Sequence, residues 1–201
     1  MPARCLLLRK PKRGQLRNER SNSIALSKNN IAFSSDNGKI SRGDLDETSK
    51  ISEEHFGMDK DPNQMPATTE NKDWIYRNIQ DYLNIIRYKS KIIVYAFLLP
   101  CNRILMDSFV KKRISEATLV KNIKKMKLTE IPEAIYLCAS VIREDFRGRG
   151  LATSAFVKAI NKITHSRKEK PALFCWEYSE EGGKLARRVA DKTSLKLRIR
   201  K

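Results

Sequence analysis

Histidine and cysteine are scarce in this 201-residue chain, and each shortage excludes a class of protein. The two histidines, His55 and His165, are too few and too widely separated to form a zinc site. The four cysteines have neither the paired spacing of a metal site nor the density of a disulfide scaffold. The composition therefore predicts a protein without a bound metal in a reducing compartment, which we take to be the cytoplasm.

Long apolar runs are also missing, so the sequence predicts no transmembrane segment. The basic N-terminus contains three consecutive leucines but lacks the long apolar region and the cleavage site of a secretory signal. Because Glu19 is the first acidic residue, an organelle transit peptide is the alternative to a cytoplasmic protein.

Acidic residues are the minority among the charged ones, with 23 Asp and Glu against 41 Lys and Arg, a net charge of +18. Residues 66–201 hold 29 of the basic residues and only 14 of the acidic ones. Such a surface suits an acidic partner, nucleic acid, an anionic membrane or a phosphorylated cofactor, or it is simply solvated. No stretch resembles a nucleic-acid-binding module, so nucleic acid is an unfavoured partner.

The chain divides by composition near residue 67. Residues 1–67 are rich in Ser, Asn and charged residues and have no sustained apolar period, which predicts a flexible N-terminal segment. Residues 68–201 carry the periodic patterns and are predicted to form one folded domain.

Several elements of that domain follow from apolar spacing. A helix is predicted to begin at Asp73 and to continue through Ile86, and a buried strand over residues 91–99 to end at Pro100. Asn102 and Ser115 are each placed to cap a short helix, and these two helices could wall an acceptor pocket. The last three predicted elements are a strand over 172–178, a helix over 179–194 and a strand over 195–200 with a solvated basic face.

The most informative stretch joins a predicted strand, residues 135–142, to an amphipathic helix from Leu151. Between them lies the sequence Arg147-Gly148-Arg149-Gly150, with no side chain suited to cap the helix. The free amides and positive dipole of a helix start, next to arginines, predict an anion site that suits a pyrophosphate. The turn has neither the Gly-Lys-Ser/Thr of an NTPase loop nor the three-glycine dinucleotide pattern.

Arg147, Gly150 and Ala152 match the Arg/Gln-x-x-Gly-x-Gly/Ala signature, and the chain from about residue 70 to 201 resembles the GCN5-related N-acetyltransferase family. The resemblance implies an α+β fold with an α/β-like three-layer arrangement, in which helices flank a mixed central sheet. It also implies acetyl-CoA as cofactor, with CoA as product, and transfer of the acetyl group to an amine of a small molecule or a protein.

The resemblance also implies which residues bind the cofactor. The pyrophosphate would rest on the amides of the signature turn, and the pantetheine arm would pair with the backbone of the preceding strand. The cofactor-binding residues implied in this way are Ser140, Val141, Ile142, Arg147, Gly148, Arg149, Gly150, Leu151 and Ala152.

Catalysis of the acyl transfer needs a base and an acid. Glu177 is the candidate base, and Tyr178 is a candidate acid, with Tyr136 as an alternative. Gly183 and Ala190 stand where the family has asparagine and tyrosine, so a CoA-binding module without catalysis is the second hypothesis. A basic nucleic-acid-binding protein is the third.

Overall fold

A computed structural model describes residues 31–37, 39–56, 62–128, 132–165 and 169–201. Within these residues, seven α-helices cover a six-stranded, mixed, open sheet. The fold class is therefore α+β, as the sequence predicted.

The strands follow one another across the sheet in chain order. Strands β1 to β4 are successively antiparallel, and β4, β5 and β6 are successively parallel. Their bounds are Ile31–Phe33 (β1), Leu83–Tyr88 (β2), Lys91–Cys101 (β3), Ala134–Ile142 (β4), Ala172–Trp176 (β5) and Leu197–Arg200 (β6).

The helices form a layer on each face of the sheet. They are Ser34–Asn37 (α1), Arg42–Phe56 (α2), Thr69–Asn78 (α3), Arg103–Val110 (α4), Glu116–Ile123 (α5), Leu151–Thr164 (α6) and Glu180–Thr193 (α7). Buried side chains of α6 and α7 pack on one face, and those of α2, α3, α4 and α5 pack on the other. None of the helices in the described ranges is long and apolar enough to span a membrane.

Residues 1–67 were predicted to be a flexible segment, but residues 31–37 and 42–56 form β1, α1 and α2. Residues 1–30, 38 and 57–61 lie outside the described part. Helix α2 buries Leu45 and Phe56, which are 4% and 7% exposed. It is also tied to β2 by an ion pair between Asp44 and Arg87. The few apolar residues of α2 are widely spaced, so the sequence shows no helical period there. The helix is stabilised by its contacts with the sheet.

The helix predicted to run from Asp73 through Ile86 is wrong at both ends. Helix α3 begins at Thr69, where the Thr68 hydroxyl accepts a hydrogen bond from the Asn71 amide at 3.2 Å. It ends at Asn78, and residues 83–88 form β2 instead. Ile85 and Ile86 are β-branched, which favours a strand. Both side chains are fully buried, one on each face of the sheet.

Strand β3 does not end at Pro100 but continues to Cys101. Pro100 pairs with Ile135 of β4, whereas the pairing of β3 with β2 stops at Phe97. At this position β3 is therefore an edge on its β2 side, so the missing N–H group of proline interrupts no ladder.

The predicted caps of α4 and α5 are confirmed, since the Asn102 and Ser115 side chains accept hydrogen bonds from Leu105 N and Thr118 N. The solvated basic face predicted for the last strand is only partly correct. The Arg200 guanidinium lies 4.4 Å from the ring centroids of both Phe109 and Trp176. It donates to the carbonyl oxygens of Phe109 and Ile114, and so fastens β6 to α4.

Candidate functional site

The glycine turn lies between β4 and α6, as the sequence predicted. Gly148 and Gly150 have φ angles of 75° and 72°, in the left-handed region that glycine adopts without strain. A Cβ atom built on either glycine would meet nothing within 4 Å. The glycines are therefore required by backbone conformation, and the space outside them is open.

Helix α6 begins at this turn without a side-chain cap. Gly150 is its N-cap residue, and the first backbone bond of the helix runs from Ser154 N to Gly150 O at 2.9 Å. The amides of Leu151, Ala152 and Thr153 precede that bond and have no acceptor within the helix. They form a set of donors at the positive end of the helix dipole.

The two arginines of the turn lie against their own loop. Arg147 forms an ion pair with Glu144 at 3.2 Å. Arg149 donates to the Asp145 carbonyl oxygen at 3.2 Å, and its guanidinium lies 5.8 Å from the Phe146 ring centroid. These contacts hold both guanidinium groups against the loop that precedes α6.

Among the described residues, most of the β4 edge that faces β5 pairs with no other strand. It pairs with β5 only over Ala134 to Tyr136, so the two parallel strands separate beyond that point. Arg143 N donates to Ile93 O of β3 at 2.9 Å. Because main-chain groups alternate along a strand, those of Ser140 and Ile142 face away from β3, toward the opening.

A β-bulge interrupts β4 at the point where it diverges from β5. Phe97 and Leu98 of β3 pair with Ala139 and Leu137, so Cys138 is an extra residue. Cys138 and Ala139 consequently both pack on the α2–α5 face, although neighbouring side chains of a regular strand point to opposite faces.

Those two residues border a pocket, which we call the bulge pocket, in the α2–α5 layer. Its polar and sheet-side lining comes from Thr48, Ser49, Ser52, Gln64, Asn71, Lys72, Tyr95, Glu116, Cys138 and Ala139. The remaining walls are mostly apolar side chains of α2, α3 and the segment that precedes α3. The pocket thus reaches the sheet where the open edge of β4 ends.

Glu116, the first residue of α5, carries the only acidic group that lines this pocket among the described residues, and it is 1% exposed. Its carboxylate accepts hydrogen bonds from Tyr136 Oη at 2.7 Å and from Met65 N at 3.4 Å. The Cys138 thiol donates to it at 3.8 Å. A buried carboxylate with these partners is held in one position at the pocket wall.

The predicted base, Glu177, lies just after β5 and is engaged by α7. Both terminal nitrogens of Arg187 donate to its Oε1 atom at 3.1 Å. Tyr178, the predicted acid, packs its ring 4.3 Å from that of Trp176. The alternative acid, Tyr136, is fully buried and donates to Glu116.

The two positions at which the chain departs from the family pattern have packing roles. Ala190 is 7% exposed and belongs to the core formed with α6. A Cβ atom on Gly183 would lie 1.9 Å from Glu177 Oε1, so this glycine makes room for the Glu177 carboxylate.

The described cysteines form no disulfide with one another. Cys101, Cys138 and Cys175 are buried free thiols. Burial raises the pKa of the Cys101 thiol to about 12, so it remains protonated and a poor nucleophile. Within the described ranges, no three His, Cys, Asp or Glu side chains gather as a metal site would require.

Two residues of the bulge pocket, Glu116 and Gln64, were not predicted. Glu116 directly follows an N-cap serine, where an acidic residue is ordinary helix chemistry. Gln64 lies in the segment that was predicted to be flexible. Only the three-dimensional contact between α5, that segment and the β4 bulge identifies them.

The sequence was compared with protein-family models and with curated proteins. No family model matches it, and no curated protein is significantly similar to it.

Proposed function

We propose that the protein is an acyltransferase of the GCN5-related N-acetyltransferase type, which binds acetyl-CoA and transfers the acetyl group to an amine within a ternary complex. One observation carries the proposal: the open edge of β4 joins an uncapped helix start at one end to a bulge and a pocket at the other. A ligand with an anionic end and a long polar arm fits this arrangement.

The anionic end of CoA suits the start of α6. Its pyrophosphate oxygens would accept hydrogen bonds from the amides of residues 151–153, which have no acceptor within the helix. The excess of basic residues over residues 66–201 would attract the same polyanion from solution.

The pantetheine arm of CoA suits the open edge of β4. Its two amide groups can pair with main-chain groups of Ser140 and Ile142, as an added strand would. From Ile142 to Cys138 the strand advances four residues, or about 13 Å. An arm lying along this edge would bring the thioester to the bulge.

Bound acetyl-CoA supplies a thioester carbonyl that an amine can attack. The new bond joins the amine nitrogen to the acetyl carbon, the carbon–sulfur bond breaks, and CoA leaves as a thiolate that takes up a proton from solvent. We assign uptake of the amine proton to Glu116, since its carboxylate borders the pocket beside the bulge. Glu177 is the second candidate, because it already accepts two hydrogen bonds from Arg187 and does not line the bulge pocket.

A CoA-binding module without catalysis is the competing function, and one observation favours it. The position of the family's tyrosine is held by Ala190, whose methyl group packs into the core and offers no proton. Under this alternative the protein would bind acetyl-CoA but transfer nothing to any amine.

A thermal-shift titration followed by an acetyl-transfer assay tests the proposal. Acetyl-CoA at one hundred times its Kd should stabilise the fold by about 2.7 kcal/mol, a Tm increase of about 5 °C or more. ATP, which has phosphates but no pantetheine arm, serves as the control. A shift without turnover on a panel of amines supports the silent module, and no shift with millimolar acetyl-CoA refutes both functions.

A further inference from the structure

Gln64 contributes an unsatisfied hydrogen-bond donor to the lining of the bulge pocket. The residue is 3% exposed and lines the pocket. Its side-chain nitrogen has no hydrogen-bond partner among the described residues. A buried amide nitrogen without an acceptor costs free energy, so a ligand that brings an acceptor oxygen is favoured at this position.

A carboxylate lies near the backbone of the residue that follows Gln64. Met65, the next residue in the chain, donates its backbone N–H to Glu116 at 3.4 Å. Gln64 and Glu116 therefore contribute a neutral donor and a negative charge to the lining of one pocket.

The other walls limit what the ligand can be. Leu45, Phe56, Ile75 and Leu83 contribute apolar surface. The one basic side chain of the lining, Lys72, is paired with Asp46, and Ser52 and Tyr95 already bond to one another at 2.5 Å. A polycation would leave most of its charges in apolar surroundings, which is costly. A single ammonium group on a compact apolar body would meet one carboxylate and bury the rest of its surface.

We propose that the bulge pocket is the acceptor site, and that its ligand is a primary amine on a compact apolar body with a hydrogen-bond acceptor a few bonds from the nitrogen. Glu116 holds the amine, and the Gln64 side-chain nitrogen donates to the neighbouring carbonyl or hydroxyl oxygen. An amide of an apolar amino acid has this chemistry. The role as acceptor site rests on the proposed acetyl transfer, whereas binding of the amine does not.

Three small amines separate the parts of this proposal. Leucinamide has the amine, the carbonyl oxygen and the apolar body, 3-methylbutylamine lacks the carbonyl, and glycinamide lacks the apolar body. The wild-type protein should bind leucinamide most tightly, as measured by thermal shift and by calorimetry without acetyl-CoA. Equal binding of all three amines, or no binding of leucinamide, would overturn the proposal.

The matched variants are Gln64→Leu and Gln80→Leu. Gln80 also has a side-chain atom without a partner in the described structure, but it does not line the pocket. Gln64→Leu should raise the Kd of leucinamide roughly five- to tenfold, the effect of one lost hydrogen bond, and leave that of 3-methylbutylamine unchanged. Gln80→Leu should change neither value, and equal effects of the two variants would refute the role of Gln64.

Failure of this inference differs from failure of the proposed function. If acetyl-CoA binds and is turned over, but Gln64→Leu leaves the KM of leucinamide unchanged, the pocket assignment is wrong and the transferase is not. If leucinamide binds as expected but acetyl-CoA does not, the pocket stands and the transferase is refuted.

Discussion

Glu177 and Gly183 meet at the start of α7, where a side chain on residue 183 would overlap the carboxylate. The glycine allows Glu177 to reach both terminal nitrogens of Arg187. The Arg187 side chain is about half exposed, so this ion pair contributes little to stability. The contact keeps the Glu177 carboxylate beside α7, and Glu177 does not line the bulge pocket, whereas Glu116 does.

Asp44 gives a residue-scale prediction about pH. Partial burial opposes its ionisation, but hydrogen bonds from Ser41 N and the Arg87 guanidinium outweigh this effect and lower its pKa below the ordinary 3.8. The charged form is thus favoured in the folded state. The stabilisation is complete above pH 3.8 and is lost as the pH falls through the folded-state pKa.

Urea unfolding between about pH 6 and pH 3 checks this prediction in the wild type and in Asp44→Asn. The wild type should lose more free energy of unfolding on acidification than the variant, which has no charge to lose at this position. Asp107→Asn removes an exposed carboxylate of α4 and serves as the control. Identical pH profiles of the wild type and Asp44→Asn would contradict a stabilising Asp44–Arg87 pair.

At the scale of elements, the β2–β3 hairpin contains an unfavourable turn. Lys89 and Ser90 have φ angles of 47° and 67°, which residues with a Cβ atom rarely adopt. A two-residue turn of this shape prefers Asn-Gly. Replacing Lys89 and Ser90 by Asn and Gly should raise the free energy of unfolding by about 1 kcal/mol or more.

Chemical denaturation measures that increase, and the exposed Lys111→Asn variant is the control, because the φ angle of Lys111 is −78°. A double variant no more stable than the wild type would show that the Lys89 and Ser90 backbone is not strained in solution.

An element could be predicted where the spacing of its apolar residues matches the burial of those residues in the fold. Strand β4 and helix α6 have the apolar period and the length of the elements that they form. In contrast, Leu83 and Ile86 continue the helical spacing of α3 and yet belong to β2, because pairing with β3 outweighs local spacing. Helix α2 was missed since its buried residues are too few to give a period.

The candidate site divides in the same way. The glycine turn could be predicted because its glycines, its arginines and the start of α6 are adjacent in sequence. The bulge pocket could not, since Gln64, Glu116 and Cys138 are distant in sequence and come together only through the packing of α5 on the sheet.

At the scale of the whole molecule, the open edge of β4 connects the two parts of the proposed site. The helix start of α6 lies at one end of this edge, and the bulge and its pocket lie at the other. The sheet topology creates this edge, because β5 pairs with only the first three residues of β4. Cofactor and acceptor would therefore approach the bulge from different sides.

The affinity of acetyl-CoA for Gly150→Asp and Gly150→Asn tests the proposed cofactor site most directly. Asp and Asn have nearly the same shape and tolerate the left-handed backbone of residue 150, so the two variants differ mainly in one negative charge. Calorimetry should give a Kd at least about tenfold higher for Gly150→Asp, because its carboxylate repels the pyrophosphate. Equal affinities of the two variants would contradict binding of CoA at this helix start.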